Sequence, residues 1–313
     1  MEYRRLGRTD LQVSLLGLGS GGRSRLGQAH GHGQDEATAI VRRALEIGVN
    51  IIDTAPSYAS SEELLGAALD GVPRDSYVIC TKFRAVADDD LKPAEALRAS
   101  IEQSLRTLRT DYLDVMYLHG VAPNLLDRTL ERFQEPLEQA RRDGLVRFLG
   151  ITESFERDHE HETLRRTIPL GLYDVMMVGY NVLSTAPART VLPEAQAADI
   201  GIVVMCAVRG VLLSDDRIRE VIGEWKDQGL LARDAVPDDD PLGWLRGPWA
   251  DTIPAAAYKF ARAHPAVGTV LTGTGRLAHF NENAEAILGT PLPDELVERA
   301  YELFAPVSRN AGF

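Results

Sequence analysis

Cysteine is nearly absent: 313 residues hold two, Cys80 and Cys206, each inside an apolar strand-like run. A disulfide framework is therefore excluded, and two reduced thiols in a cytoplasmic protein are the expectation. Positive charge is also short. Lys and Arg number 34 against 46 Asp and Glu, a formal net charge of −12. With no cationic stripe to offset that deficit, neither a nucleic acid nor an anionic membrane surface is an expected partner. Long hydrophobic runs are missing as well. Stretches such as "IGIVVMCAV" fall far below the roughly 20 residues a membrane span requires. The opening "MEYRRLGRTD" has no apolar segment of the kind a secretory signal needs. No low-complexity segment or interdomain linker divides the chain, so residues 1–313 are expected to form one domain.

What the chain does contain is one alternation, repeated. Short runs rich in Val, Ile and Leu are followed by segments with 3.6-residue periodicity. The strand candidates are 13–17, 50–53, 76–82, 112–119, 146–152, 173–181, 200–207 and 266–272. Helices are expected over 35–47, 61–69, 93–108, 127–143, 156–167 and 186–198, with Pro93 suited to a first turn and Gly48 and Gly144 to helix ends. Eight strands, each followed by a helix, predict an α/β fold of the closed (β/α)8 TIM-barrel type. Near-continuous apolar strands suit a parallel sheet covered on both faces. Residues 2–12 read as a small β-hairpin ahead of the first barrel strand. Residues 212–252, polar and carrying Trp225, Trp244 and Trp249, read as a long insert after strand seven.

In such a barrel, function gathers at the C-terminal strand ends. Three successive apolar strands close there on a titratable group: Asp53 ends the second, Lys82 the third and His119 the fourth. Tyr58 follows Asp53 in the next loop. Singly, each has a bland explanation: a turn cap, a return to solvent, a satisfied histidine, a packed ring. Jointly they converge on one mouth. A free phenol has a pKa near 10, too high for an efficient proton donor at neutral pH. An adjacent ammonium stabilises the phenolate, a carboxylate can hold that ammonium, and a neutral imidazole can orient a substrate oxygen. The set suits protonation of an oxygen that is becoming an alkoxide, the proton half of carbonyl reduction.

"NIIDTAPSYASSEELLGAAL", "CTKF", "DYLDVMYLH" and "GLVRFLGIT" resemble the aldo-keto reductase superfamily, as do "GLG", "YNVL" and "GTGRLAHFNENAEAI". The resemblance covers nearly the whole chain outside 212–252. It implies that Asp53, Tyr58, Lys82 and His119 are the catalytic tetrad, with Tyr58 as general acid/base, Lys82 its partner, Asp53 the carboxylate behind Lys82 and His119 the carbonyl-orienting group. It further implies an NADP(H)-dependent oxidoreductase, with NAD(H) as the second choice of cofactor, acting on a small-molecule aldehyde or ketone and the corresponding alcohol. A cofactor-binding regulatory subunit like the potassium-channel β subunits is the alternative it leaves open.

The same resemblance implies the cofactor's surroundings. Gly19 would let backbone approach it, and Asp53 would also touch the nicotinamide ribose. Thr152 and Glu153 stand where the family usually has Ser-Asn for the carboxamide, Met177 where it has Gln, Met205 where an aromatic ring stacks and Cys206 where it has Ser. Ala207, Val208 and Arg209 follow, with Arg209 placed for the pyrophosphate. Gly273 replaces a common Lys. Thr274 lies beside it, Arg276 is placed for a 2′-phosphate, and Glu282 and Asn283 match the adenine-binding pair. "GLGSGG" (17–22) formally satisfies G-x-G-x-x-G, but the helix that motif requires does not open after it. The pairs His30/His32 and His159/His161 are read as solvated rather than metal-binding, and the "DDD" runs at 88–90 and 238–240 as solvated turns.

Overall fold

A computed structural model describes residues 1–87 and 90–307; Asp88 and Asp89, from one of the expected turns, and residues 308–313 lie outside the described residues. Strands β1 (Tyr3–Arg5) and β2 (Gln12–Ser14) pair antiparallel around a single 3-10 turn, the expected hairpin. Eight further strands close into a parallel barrel in chain order. They are β3 (Leu16–Gly19), β4 (Ile51–Asp53), β5 (Val78–Phe83), β8 (Leu113–Val121), β9 (Val146–Glu153), β10 (Val175–Gly179), β11 (Gly201–Met205) and β12 (Val267–Thr272). A short hairpin, β6 (Val86–Ala87) with β7 (Asp90–Leu91), follows β5.

Period-two alternation sorts each strand between two cores. Ile51, Val78, Cys80, Val115, Tyr117, Val175, Met177 and Val203 fill the barrel lumen. Leu6 and Val13 of the hairpin join them and stop the N-terminal end. The intervening residues, among them Ile52, Ile79, Met116, Leu118, Leu149, Ile151, Met176 and Val204, face the helices. Those helices are α1 (Gln34–Glu46), α2 (Ser61–Ala68), α3 (Glu95–Leu108), α4 (Leu126–Arg142), α5 (Glu162–Thr167), α6 (Val191–Ala197), α7 (Asp215–Asp227), α8 (Ile253–Ala263), α9 (Leu277–Leu288) and α10 (Asp294–Phe304).

Three expectations need correction. The run 13–17 is two strands, because the chain passes from the hairpin into the barrel at Leu15. The helix expected over 156–167 begins only at Glu162: the Asp158 carboxylate accepts from the amides of Glu162 and Thr163 at 2.7 and 2.8 Å, and His161 sits at φ 54°. An Asp in that position caps a helix rather than continuing one. The helix expected over 186–198 is reduced to 191–197 behind a 3-10 turn that contains Pro187.

The insert is folded, not merely polar. α7 packs Trp225 against Phe304 at 6.0 Å between centroids, Arg299 lies 4.5 Å over the Trp244 ring, and the Trp249 indole donates to the Leu245 carbonyl. Lys226–Asp238 at 2.6 Å and Arg246–Asp240 at 2.8 Å tie its turns together. Among the described residues no helix is long and apolar enough to cross a membrane.

Candidate active site

The lumen-facing rows change character at the mouth. Ile51 is followed on its face by Asp53; Val78 and Cys80 by Lys82; Val115 and Tyr117 by His119. The pleat therefore delivers three polar groups to one level. Lys82 is 1% exposed, and its Nζ donates to both Asp53 oxygens at 2.6 and 2.5 Å and to the Thr54 carbonyl at 2.8 Å. The same Nζ lies 4.8 Å from the centroid of the Tyr58 ring. Tyr58 meets His119 edge to face, with centroids 5.8 Å apart and planes at 87°. Gly21 completes the seat: a Cβ there would fall 2.5 Å from the Tyr58 ring, so only glycine lets this loop lie against the phenol.

The electrostatics follow from this burial. Desolvation works against the charge on Lys82, but the Asp53 carboxylate and the Tyr58 oxygen together outweigh it and hold the ammonium above its ordinary range. Burial raises the Tyr58 phenol, and Lys82 pulls against that rise without reversing it. The expectation of a phenol made more acidic than usual is thus corrected: Lys82 limits the rise, and Tyr58 stays protonated at neutral pH. His119 is pushed down to about 3, first by burial and then by the positive charges of Lys82 and Arg84. It is a neutral imidazole, and its Nδ1 has no hydrogen-bond partner among the described residues.

On the neighbouring staves the sequence positions separate. Thr152 is buried with its hydroxyl accepting from the Gly120 amide at 2.8 Å. Glu153, one step on, turns to the helix side, where Oε1 accepts from the Gly179 amide at 2.8 Å and Oε2 meets His161 Nδ1 at 2.7 Å. Both side chains of that pair are wholly buried, which corrects the solvated reading of His161; burial opposes its charging, but the Glu153 carboxylate and its acidic neighbours hold the imidazole above the ordinary histidine range. Met177 is packed within the lumen, 2% exposed, while Met205 and Cys206 are half-buried at the rim. Cys206 takes φ 63° and gives its carbonyl to Asn181 at 3.0 Å. Ala207 is buried, Val208 half-buried, and Arg209 lies 5.8 Å from the Phe155 centroid and 3.8 Å from Glu156.

Across the mouth, Gly19 and Gly273 form a backbone-lined cradle: a Cβ on Gly273 would stand 3.1 Å from the Gly19 carbonyl. Beyond it, α9 opens at Arg276 with no side chain capping its first-turn amides, Arg276 itself is exposed, and the Thr274 hydroxyl accepts from the Arg276 amide at 3.2 Å. Uncapped amides at a helix start beside a guanidinium fit a phosphate. Glu282 is exposed, and Asn283 donates to Thr272 at 2.8 Å. These residues fit a phosphorylated dinucleotide laid from the rim of β11 to the start of α9. Among the described residues no group of three or more metal-type ligands exists, and His32 is engaged with the Gly275 carbonyl at 2.7 Å.

The sequence model of the Aldo/keto reductase family matches residues 16–304. The chain belongs to the aldo/keto reductase family. It is an oxidoreductase of an NAD(P)H-using kind. An L-galactose dehydrogenase of Arabidopsis thaliana is 29% identical over 294 residues, 92% of this chain and 88% of that protein. A D-threo-aldose 1-dehydrogenase of a Pseudomonas species is also 29% identical, over 88% and 89% of the two chains. An aldo-keto reductase from Bacillus halodurans superposes with a TM-score of 0.73 at 25% identity, covering 100% and 98%. Three residues around the mouth of this aldo/keto reductase barrel escaped the sequence reading. Gly21 looked like one more loop glycine, and His161 carries no spacing signal. Arg84 was findable, since it stands two residues past Lys82 on the lumenal parity.

Proposed function

We propose that this aldo/keto reductase interconverts an aldehyde or ketone and its alcohol with NADP(H), and that Asp53, Tyr58, Lys82 and His119 carry the proton transfer. The observation behind this reading is the Lys82 ammonium, clamped by both Asp53 oxygens 4.8 Å from the Tyr58 centroid. When bound, the nicotinamide supplies the hydride to the carbonyl carbon. Tyr58 donates its proton to the oxygen as that oxygen takes up the former π pair, and Lys82 stabilises the phenolate left behind. His119, neutral, hydrogen-bonds the carbonyl oxygen and fixes its approach. In the oxidative direction the same phenol accepts the alcohol proton.

Arg276 and the uncapped start of α9 support NADP(H) over NAD(H). Thr152, Met205, Cys206 and Arg209 line the path of the nicotinamide and pyrophosphate, while Glu153 acts from behind by holding the tips of β9 and β10. The regulatory-subunit reading is not favoured, since the relatives named above are dehydrogenases. A fluorescence titration comparing NADPH with NADH, followed by a carbonyl panel, tests the proposal. Tyr58→Phe should lower kcat by about 10³-fold while cofactor affinity stays put; full activity in that variant would refute the assignment.

A further inference from the structure

The tetrad accounts for three of the polar groups that the lumenal rows lift to the mouth. A fourth is left over. Along β5 the lumenal face runs Val78, Cys80, Lys82; the strand ends at Phe83, and Arg84 is the first residue beyond it. β5 pairs with β8 in register, Lys82 beside Tyr117 and Phe83 beside Leu118, and Arg84 and His119 are the residues that directly follow that last pair. Phe83, of opposite parity, packs outward on Phe133 at 5.1 Å between centroids, which fixes the direction of the alternation up to the strand's end. Arg84 is exposed and makes no hydrogen bond or ion pair among the described residues. Its charge is nevertheless felt at His119, where it adds to burial and Lys82 in keeping the imidazole neutral.

This placement has a chemical consequence. A guanidinium beside the residue that orients the substrate oxygen meets whatever is attached to the carbonyl, not the cofactor, whose fitting residues lie on the staves from β9 round to β12 and β3. The protein as a whole is strongly acidic, at −12, and would repel an anionic substrate from most of its surface. An exposed guanidinium at the reacting end of an acidic molecule offers a local exception, with the fork that carboxylate and phosphate prefer.

We propose that Arg84 reads the substrate, selecting carbonyl compounds that bear a carboxylate or a phosphate close to the reacting carbon. The inference rests on the carbonyl-reducing function proposed above and narrows its substrate class to oxo acids, aldehyde acids or phosphorylated carbonyl compounds.

Matched pairs differing only in charge test it: 4-carboxybenzaldehyde against its methyl ester, and glyceraldehyde 3-phosphate against glyceraldehyde, each reduced with NADPH. The wild type should favour the charged member of at least one pair by roughly tenfold in kcat/KM, chiefly through KM, and the preference should shrink at high salt. Which pair responds distinguishes carboxylate from phosphate. In Arg84→Gln the charged-to-neutral ratio of kcat/KM should fall to about one; Arg84→Lys should keep part of it. Calorimetric binding of the same pairs to protein loaded with NADP+ separates the two claims. If neither aldehyde is reduced but the charged one still binds better through Arg84, the redox reading fails and this inference stands. Equal treatment of charged and neutral members by the wild type, or an unchanged preference in Arg84→Gln, overturns it.

Discussion

The two sides of the barrel mouth obey the same geometry and reach opposite outcomes. On β4, β5 and β8 the last lumenal position of each row is ionisable, and the pleat carries Asp53, Lys82 and His119 into one cluster beneath Tyr58. On β9 and β10 the ionisable residue, Glu153, has the other parity. It turns behind the strands and spends both oxygens on Gly179 and His161. One carboxylate thus meets Lys82 at the mouth and the other braces the wall, and a single residue of register separates the two fates.

The largest effect that would test this contrast is expected from Lys82→Met. Without the ammonium the phenol loses its counter-charge and Asp53 is left buried without its cation, so kcat should fall by about 10³-fold with NADPH affinity little changed. Stopped-flow reduction and a cofactor titration on the same sample check both halves. Next comes Glu153→Ala, which strands a wholly buried histidine and the Gly179 amide. Urea unfolding should show a loss of about 3 kcal/mol, with kcat per folded molecule far less affected than in Lys82→Met. A variant that kept its stability but lost the chemical step would erase the distinction between the two carboxylates.

Smaller is the expected consequence of Arg276→Gln: NADPH affinity should drop about tenfold through the lost charge-assisted contact to the 2′-phosphate, and NADH affinity should not move. Equal loss for both cofactors would remove Arg276 from the phosphate site. A separate handle on the catalytic side is acid sensitivity from His119. Its folded pKa, about 3, lies below the 6.5 of the unfolded chain, so the unfolded chain takes up a proton first as pH falls. Stability should be intact above about 6.5 and drain away between there and about 3, and His119→Gln should melt with a flatter acid limb.

How much of this was legible beforehand depends on parity. The barrel, the N-terminal hairpin and the convergence of Asp53, Lys82 and His119 all follow from period-two alternation broken at strand ends, a signal wholly contained in the sequence. The reach of α5 was not legible, because Glu156–Thr167 has helical periodicity and only the side chain of Asp158, turned onto the amides of 162 and 163, decides the start. Nor was the pairing of His161 with Glu153 legible: it depends on a left-handed residue at the head of α5 that no pattern of apolar spacing announces. The Tyr58 phenol taught a different lesson. Residue types indicated a charge partner, but the balance between that partner and burial needed the three-dimensional surroundings.

The hairpin of β1 and β2 presses Leu6 and Val13 into the N-terminal end of the lumen. A vessel corked at its base has one doorway, so reductant and substrate must share it.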